Sequence, residues 1–232
     1  MTGPDDRRAL VTRRTRAEAP PAVPELRLHL ADDITGTWQD VEREVGTGEL
    51  PPPFWAFAWV GGQGLARYVL DRPAAVDGLR VLDLATGSGL CALAARLAGA
   101  AHVLAVDVDP VAGAAVAANA ELNGLTVEFL LADLTEGPVP EVDVLLAGDV
   151  CYDREMTDRV LPWLRSAAAA GVRVLLGDPG RHYLPQQGLT RLASYEVPTT
   201  RDLEGVELRR VQVYALDAPD GALPSLTAPC PT

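Results

Sequence analysis

The stretch Val81-Leu82-Asp83-Leu84-Ala85-Thr86-Gly87-Ser88-Gly89 puts a carboxylate four residues ahead of a glycine turn. Glycine lets a backbone turn sharply and approach a ligand closely. Twenty-four residues after Asp83, Asp107 closes a second apolar run, His102-Val103-Leu104-Ala105-Val106. A carboxylate at such a strand end can accept both hydroxyl protons of a ribose. Asp83, Gly87, Ser88, Gly89 and Asp107 thus form a candidate site for a nucleoside-containing cofactor. Gly87-x-Gly89-x-x-Ala92 also satisfies the loose dinucleotide fingerprint, which alone discriminates little. Asp83 shifts the balance: a carboxylate near the strand end repels a pyrophosphate and attracts the ammonium of S-adenosylmethionine (SAM). SAM is therefore preferred to a nicotinamide dinucleotide. The plainer alternative is that the glycines serve only a tight turn.

These residues need a scaffold that brings strand ends together. Apolar runs at 79–84, 102–107, 127–131, 142–147 and 172–177 alternate with helical segments at 90–97, 110–123 and 154–170. Pro110 opens one helix at its favoured first position, and Gly124 follows its end. The alternation predicts a parallel sheet covered on both faces. Residues 192–197 and 206–216 read as two strands joined by a short turn, an antiparallel hairpin at one edge. The expected fold class is α/β: a Rossmann-like, seven-stranded, mostly parallel sheet with a C-terminal antiparallel hairpin. Upstream, the alternation in residues 25–30 predicts a short strand. Asp32, Asp33 and Thr35 can cap a helix carrying Trp38 and Val41. Residues 1–24 are expected as a flexible Arg- and Pro-rich arm, residues 25–218 as one domain, and residues 219–232 as a frayed tail.

Composition limits the function classes. The 232 residues carry a formal net charge of -12, opposite in sign to a protein that neutralises a phosphate backbone. No nucleic-acid partner is expected. Arg7, Arg8, Arg13, Arg14 and Arg16 cluster at the N-terminus, as a solvated tail or a docking arm. All basic residues are Arg, which excludes a Schiff-base lysine and a P-loop lysine. Three cysteines and three histidines are scattered without metal-ligand spacing, so no metal is expected. No apolar run is long enough to span a membrane. A soluble, cytoplasmic enzyme is expected.

Asp83-x-x-x-Gly87-x-Gly89 followed by Asp107 is similar to the cofactor motifs of seven-strand class I methyltransferases. Three further stretches resemble the electron transfer flavoprotein β-subunit lysine methyltransferases and their bacterial relatives. They are Pro53-Phe54-Trp55-Ala56-Phe57-Ala58-Trp59-Val60-Gly61-Gly62-Gln63, Gly148-Asp149-Val150-Cys151-Tyr152-Asp153 and Gly177-Asp178-Pro179-Gly180-Arg181. The resemblance spans residues 20–216 and implies transfer of methyl from SAM to a protein lysine, with the electron transfer flavoprotein β subunit as first candidate. It places Trp59 beside the cofactor with Trp55 nearby, although both could be ordinary core aromatics. It places Asp133 near adenine, where an exposed loop carboxylate is the alternative, and Gly148 in the pocket wall. Asp149 and Tyr152 match the D-x-x-Y motif of this group and would hold and orient the lysine nitrogen. A helix N-cap by Asp149 or Asp153 is the competing reading. Arg181 could meet a carboxylate of a protein substrate or pair with Asp178. His182 is a lone histidine beside it. Three rivals stand: a small-molecule N- or O-methyltransferase, a ribosomal-protein methyltransferase, and a binding module that keeps the fold without catalysis. The second usually shows Asn-Pro where this chain has Gly148-Asp149.

Overall fold

The computed structural model describes residues 3–45 and 52–218; the expected tail at 219–232 lies outside them. The first described element departs from the expected loose arm. Helix α1 (Pro4–Arg14) starts with Pro in its first turn, with Asp5 and Asp6 there and Arg13 and Arg14 in its last turn. That order of charge complements the helix dipole. Leu10 and Val11 are fully buried in a cluster with Ala112, Ala115 and Ala118 of a later helix. A flat alanine face admits a helix carrying only two large apolar residues, and the density of arginine around them hid this in the sequence. Strand β1 (Arg16–Glu18) then pairs antiparallel with β2 (Leu28–Leu30), Ala17 opposite His29. The strand expected over 25–30 is thus confined to its second half.

Helix α2 (Ile34–Val45) begins where Asp33 accepts a hydrogen bond from the amide of Gly36 at 2.6 Å. A 3-10 turn (Phe54–Ala56) leads into α3 (Val60–Asp71). The alternating region follows: β3 (Arg80–Leu84), α4 (Leu90–Leu97), β4 (His102–Asp107), α5 (Pro110–Leu122), β5 (Glu128–Leu131), β6 (Val144–Gly148), α6 (Arg154–Ala169) and β7 (Arg173–Asp178). The hairpin is β8 (Leu189–Pro198) and β9 (Leu208–Leu216). The seven-stranded sheet runs β5-β4-β3-β6-β7-β9-β8, parallel up to β7 and antiparallel beyond it. The expected fold class therefore holds.

Alternation along each strand sorts the core. Val81, Val103 and Leu146 face α3, α4 and α5, whereas Leu82, Leu145 and Leu176 face α6. Truncating any of these fully buried leucines to alanine costs about 2–5 kcal/mol. Asp83 shares the face of Val81, so its carboxylate enters the space beneath α3 and α4. Strand order reverses between β3 and its neighbours β4 and β6, which is where open α/β sheets bind ligands. The β8–β9 connection is more than the short turn expected. It contains a helical turn, α7 (Arg201–Glu204), opened by the Thr200 hydroxyl accepting from Leu203 N and closed by Gly205 at φ +73°. No described helix is long and apolar enough to cross a membrane.

Candidate active site

A cavity of about 520 Å³ opens at the carboxyl ends of β3, β4 and β6. Asp83 reaches it from β3. Its Oδ2 accepts from the Thr86 hydroxyl at 2.5 Å and from the amide of Ala92 at 3.0 Å. Ala92 N is one of the amides left free at the start of α4, so the carboxylate caps that helix. Burial nevertheless pushes the Asp83 carboxyl up to about 7, and the Asp107 charge adds to the rise. The groups that oppose the shift are a hydroxyl and an amide; no cation is among them.

Asp107 closes β4 with its oxygens divided: Oδ2 accepts from Gly87 N at 2.9 Å and Oδ1 from Asp109 N at 3.0 Å. Each carboxylate oxygen has a second lone pair, so both can still accept from hydroxyl groups. Burial raises this carboxyl above its usual range as well. Gly87 (φ +53°) and Ser88 line the cavity. Gly89 lies just behind them, outside the lining. It adopts φ +81°, and a Cβ there would lie 3.0 Å from Val116 Cγ2. Its missing side chain serves the packing of α4 against α5.

Aromatic rings form the roof. Trp59 donates Nε1–H to the carbonyl of Phe54 at 3.0 Å and packs edge-on against Phe54 at 5.7 Å. Trp55 and Trp59 both line the cavity, Trp55 from a buried position. Tyr152, 42% exposed, stands at the mouth with its ring 5.5 Å from Phe54. Burial of its hydroxyl and the nearby Asp153 push it up to about 12, so it stays protonated. Asp133 also lines the cavity, tied by Oδ1 to the Thr135 hydroxyl and amide at 2.6 and 3.0 Å. The hydroxyl bond holds its carboxyl below the usual range despite some desolvation.

The wall at the end of the neighbouring strand β6 is assembled from distant segments. Gly148 ends β6 with so little room that a Cβ would lie 2.8 Å from the Cα of Gly62. The next residue, Asp149, adopts φ +55°, a left-handed conformation that few non-glycine residues occupy. Its amide donates to Gly177 O at 2.9 Å, its Oδ2 accepts from Gly62 N at 2.9 Å, and its Oδ1 accepts from Arg181 Nη2 at 2.8 Å. Burial pushes the Asp149 carboxyl up to about 6, against the pull of the Arg181 guanidinium. Asp149 is not the cap of the helix that follows it. Asp153 has that role, its Oδ1 accepting from Met156 N at 2.8 Å.

Arg181 follows β7 and does not use its side chain on Asp178. Asp178 Oδ1 accepts instead from the amides of Gly180 and Arg181, each at 2.7 Å. The guanidinium turns inward to Asp149 and to Glu204 of α7, 2.8 Å from Nη2 to Oε1 and 3.3 Å from Nη1 to Oε2. His182 lies exposed against Tyr183, outside the cavity lining. The cavity therefore gathers Trp59, Asp83, Gly87, Ser88, Asp107, Asp133, Gly148, Asp149 and Tyr152, and adds Arg181. Glu204 gave no sequence signal, because it sits in a polar turn with no motif around it.

The residues fit SAM. Asp83 is a buried carboxylate without a cationic partner, suited to the ammonium of the methionine part. Asp107 offers lone pairs for ribose hydroxyls, and Trp55, Trp59 and Leu134 supply apolar surface. The chain is similar to known methyltransferases. Residues 67–151 match the family described as ribosomal protein L11 methyltransferase. The chain is 36% identical over 216 residues to the electron transfer flavoprotein beta subunit lysine methyltransferase of Xenopus laevis, covering 90% of this chain and 87% of that one. It is 42% identical over 163 residues to the enzyme of the same name from Rattus norvegicus, covering 66% of this chain and 64% of that one. In fold it is similar to the magnesium protoporphyrin IX methyltransferase of Synechocystis PCC 6803 with bound SAH, at TM-score 0.50 and 18% identity over 78% of this chain and 94% of that one.

Proposed function

Because this chain belongs to the family of electron transfer flavoprotein β-subunit lysine methyltransferases, we propose that it transfers the methyl of SAM to a lysine of a protein substrate. The electron transfer flavoprotein β subunit is the first candidate. The observation that carries this reading is the pairing of two buried carboxylates at neighbouring strand ends of one cavity, Asp83 without a cation and Asp149 bound by Arg181.

Bound SAM supplies an electrophilic methyl on a sulfonium. The attacking nitrogen must present a lone pair in line with that bond, so the lysine must be neutral when it reacts. In water its pKa is about 10.4. Asp149, ionised at neutral pH, accepts an N–H of the entering ammonium and fixes where the nitrogen stands. Loss of water around the amine inside the cavity disfavours its charged form, and the proton leaves to solvent through the mouth before the methyl is transferred. The Tyr152 hydroxyl, protonated throughout, orients the nitrogen from the mouth side. Its exposure suits a group that meets the acceptor as it arrives. Asp149 acts by positioning, and positioning is a large lever: a misplacement of about 1 Å can cost about a hundredfold in rate.

The net charge of -12 supports a protein acceptor over a nucleic acid. The match to the L11 methyltransferase family ends at residue 151, before Tyr152, Arg181 and Glu204. It spans Asp83, Gly87, Asp107 and Asp149, and leaves Trp59, Tyr152 and Arg181 to the longer matches. Cys91 and Cys151 are both buried free thiols, and we assign the enzyme to a reducing, cytoplasmic compartment. The test uses methyl-labelled SAM, the purified enzyme and purified electron transfer flavoprotein, with labelled sites mapped by mass spectrometry. Label on lysine of the β subunit is expected. Label that appears only on small molecules of a lysate overturns the acceptor half of the proposal.

A further inference from the structure

The groups that hold Asp149 come from parts of the chain far apart in sequence. The Asp149 side chain is hydrogen-bonded by α3 through Gly62 N and by the segment after β7 through Arg181, and the charged or titratable groups within its electrostatic reach are Cys91 of α4, Cys151 of its own segment and Asp178 of β7. Behind Arg181 stands Glu204, whose side chain is only 1% exposed. Behind Glu204, Arg209 of β9 donates from Nη2 to the Glu204 carbonyl at 3.0 Å and holds Nε 3.5 Å from Oε2. The row alternates in charge from the cavity wall to the surface: Asp149, Arg181, Glu204, Arg209.

A single nitrogen, Arg181 Nη2, bridges Asp149 Oδ1 and Glu204 Oε1, 2.8 Å from each. Arginine has a long, rotamer-rich stem, and its head stays in one place only where its fork is matched. The Glu204 carboxylate faces two nitrogens of that fork, whereas Asp149 takes one. Glu204 therefore holds the guanidinium from the side away from the cavity, while Asp149 meets it from the cavity side. We propose that Glu204 is a positioning residue for methyl transfer, acting through Arg181 to fix the Asp149 carboxylate at the cavity wall. This rests on the assignment of Asp149 to the acceptor side. It gives the β8–β9 turn, remote in sequence from every cofactor motif, a part in the reaction.

The test compares Glu204→Ala with Glu204→Gln in the full chain. It reads kcat and KM for the protein acceptor, SAM affinity by calorimetry, and the titration of Asp149 by carbon NMR, its signal assigned with Asp149→Asn. Glu204→Ala frees Arg181 to leave for solvent. It is expected to lower kcat by about tenfold or more with SAM affinity within about threefold, and to raise the Asp149 titration midpoint. Glu204→Gln keeps an oxygen for Nη2 and the side-chain volume, and should recover kcat to within about threefold of wild type. Two outcomes overturn the proposal. One is an Asp149 midpoint that is unchanged or falls in Glu204→Ala, since removing a like charge while Arg181 stays in place lowers it. The other is a kcat in Glu204→Gln as low as in Glu204→Ala, which makes charge the operative property. If Glu204→Ala does not fold, Glu204→Gln alone decides: a kcat more than about threefold below wild type refutes the anchor, and a kcat within threefold supports it. The NMR titration needs no acceptor, so a wrong acceptor assignment shows as an inactive wild type with the predicted midpoint shift intact.

Discussion

The two walls of the cavity use one device in two ways. On the β3 wall, Asp83 accepts the third amide of α4, nine residues away in sequence. On the β6 wall, Asp149 accepts the third amide of α3, eighty-seven residues away. Both carboxylates are buried at helix starts, where the free amides and the helix dipole favour an anion. Asp83 has no cation and rises to about 7; Asp149 has Arg181 and rises to about 6. A wall left without a resident cation is suited to receive one with its ligand. A wall that carries its own cation is built to keep a carboxylate ionised and still.

The comparison breaks most visibly at Asp149. Asp149→Ala is expected to lower kcat by about a hundredfold or more while SAM affinity stays within a few-fold. Retained turnover would return Asp149 to a structural role. Asp107→Ala should do the reverse, weakening SAM binding by about ten- to a hundredfold in calorimetry with the fold intact by circular dichroism. An unchanged affinity would remove the cofactor from the β4 end.

A third prediction concerns pH. The folded pKa of Asp83 is raised above the ordinary carboxylate range, so its contribution to stability is present below that range. It is lost as pH rises through about 7, because the unfolded chain has already released the proton. In cofactor-free protein, Asp83→Asn should therefore gain Tm relative to wild type between pH 5 and pH 8. A pH-independent difference would mean that Asp83 has a cationic partner after all. The smallest effect is expected at Gly89. Gly89→Ala should cost about 1–2 kcal/mol of stability, from its positive φ and the contact with Val116, without changing SAM affinity. A loss of affinity larger than the loss of stability would place Gly89 among the cofactor contacts.

How far each wall could be read from the chain follows from how it is built. The β3 wall is local. The glycine turn, the carboxylate ahead of it and Asp107 are close in sequence, and the alternation of apolar runs located them on strand ends. The β6 wall was legible only as far as Gly148-Asp149 and Tyr152. Its rest depends on three separated segments meeting: Gly62, Arg181 and Glu204. The pairing of Arg181 with Asp178 was a reasonable reading of neighbours in sequence. It fails because the Arg181 guanidinium is engaged by Asp149 and Glu204, and Asp178 Oδ1 accepts from the amides of Gly180 and Arg181 instead. Helix α1 escaped for a different reason. Its burial depends on the alanine face of α5, and nothing in residues 4–14 shows what they will lie against.

The position of β9 has a consequence for synthesis on the ribosome. β8 is made before β9, yet its only partner in the sheet is β9, which lies between it and β7. Until residues 208–216 have emerged, β8 has no strand to pair with and the exposed edge of the nascent sheet is β7. Glu204 lies in the turn between β8 and β9, so its contact with Arg181 forms only as that last strand docks. The cofactor wall can mature on a growing chain before β9 emerges, while the acceptor wall is completed only after it. A ribosome-bound intermediate stalled before β9 should bind SAM and methylate nothing.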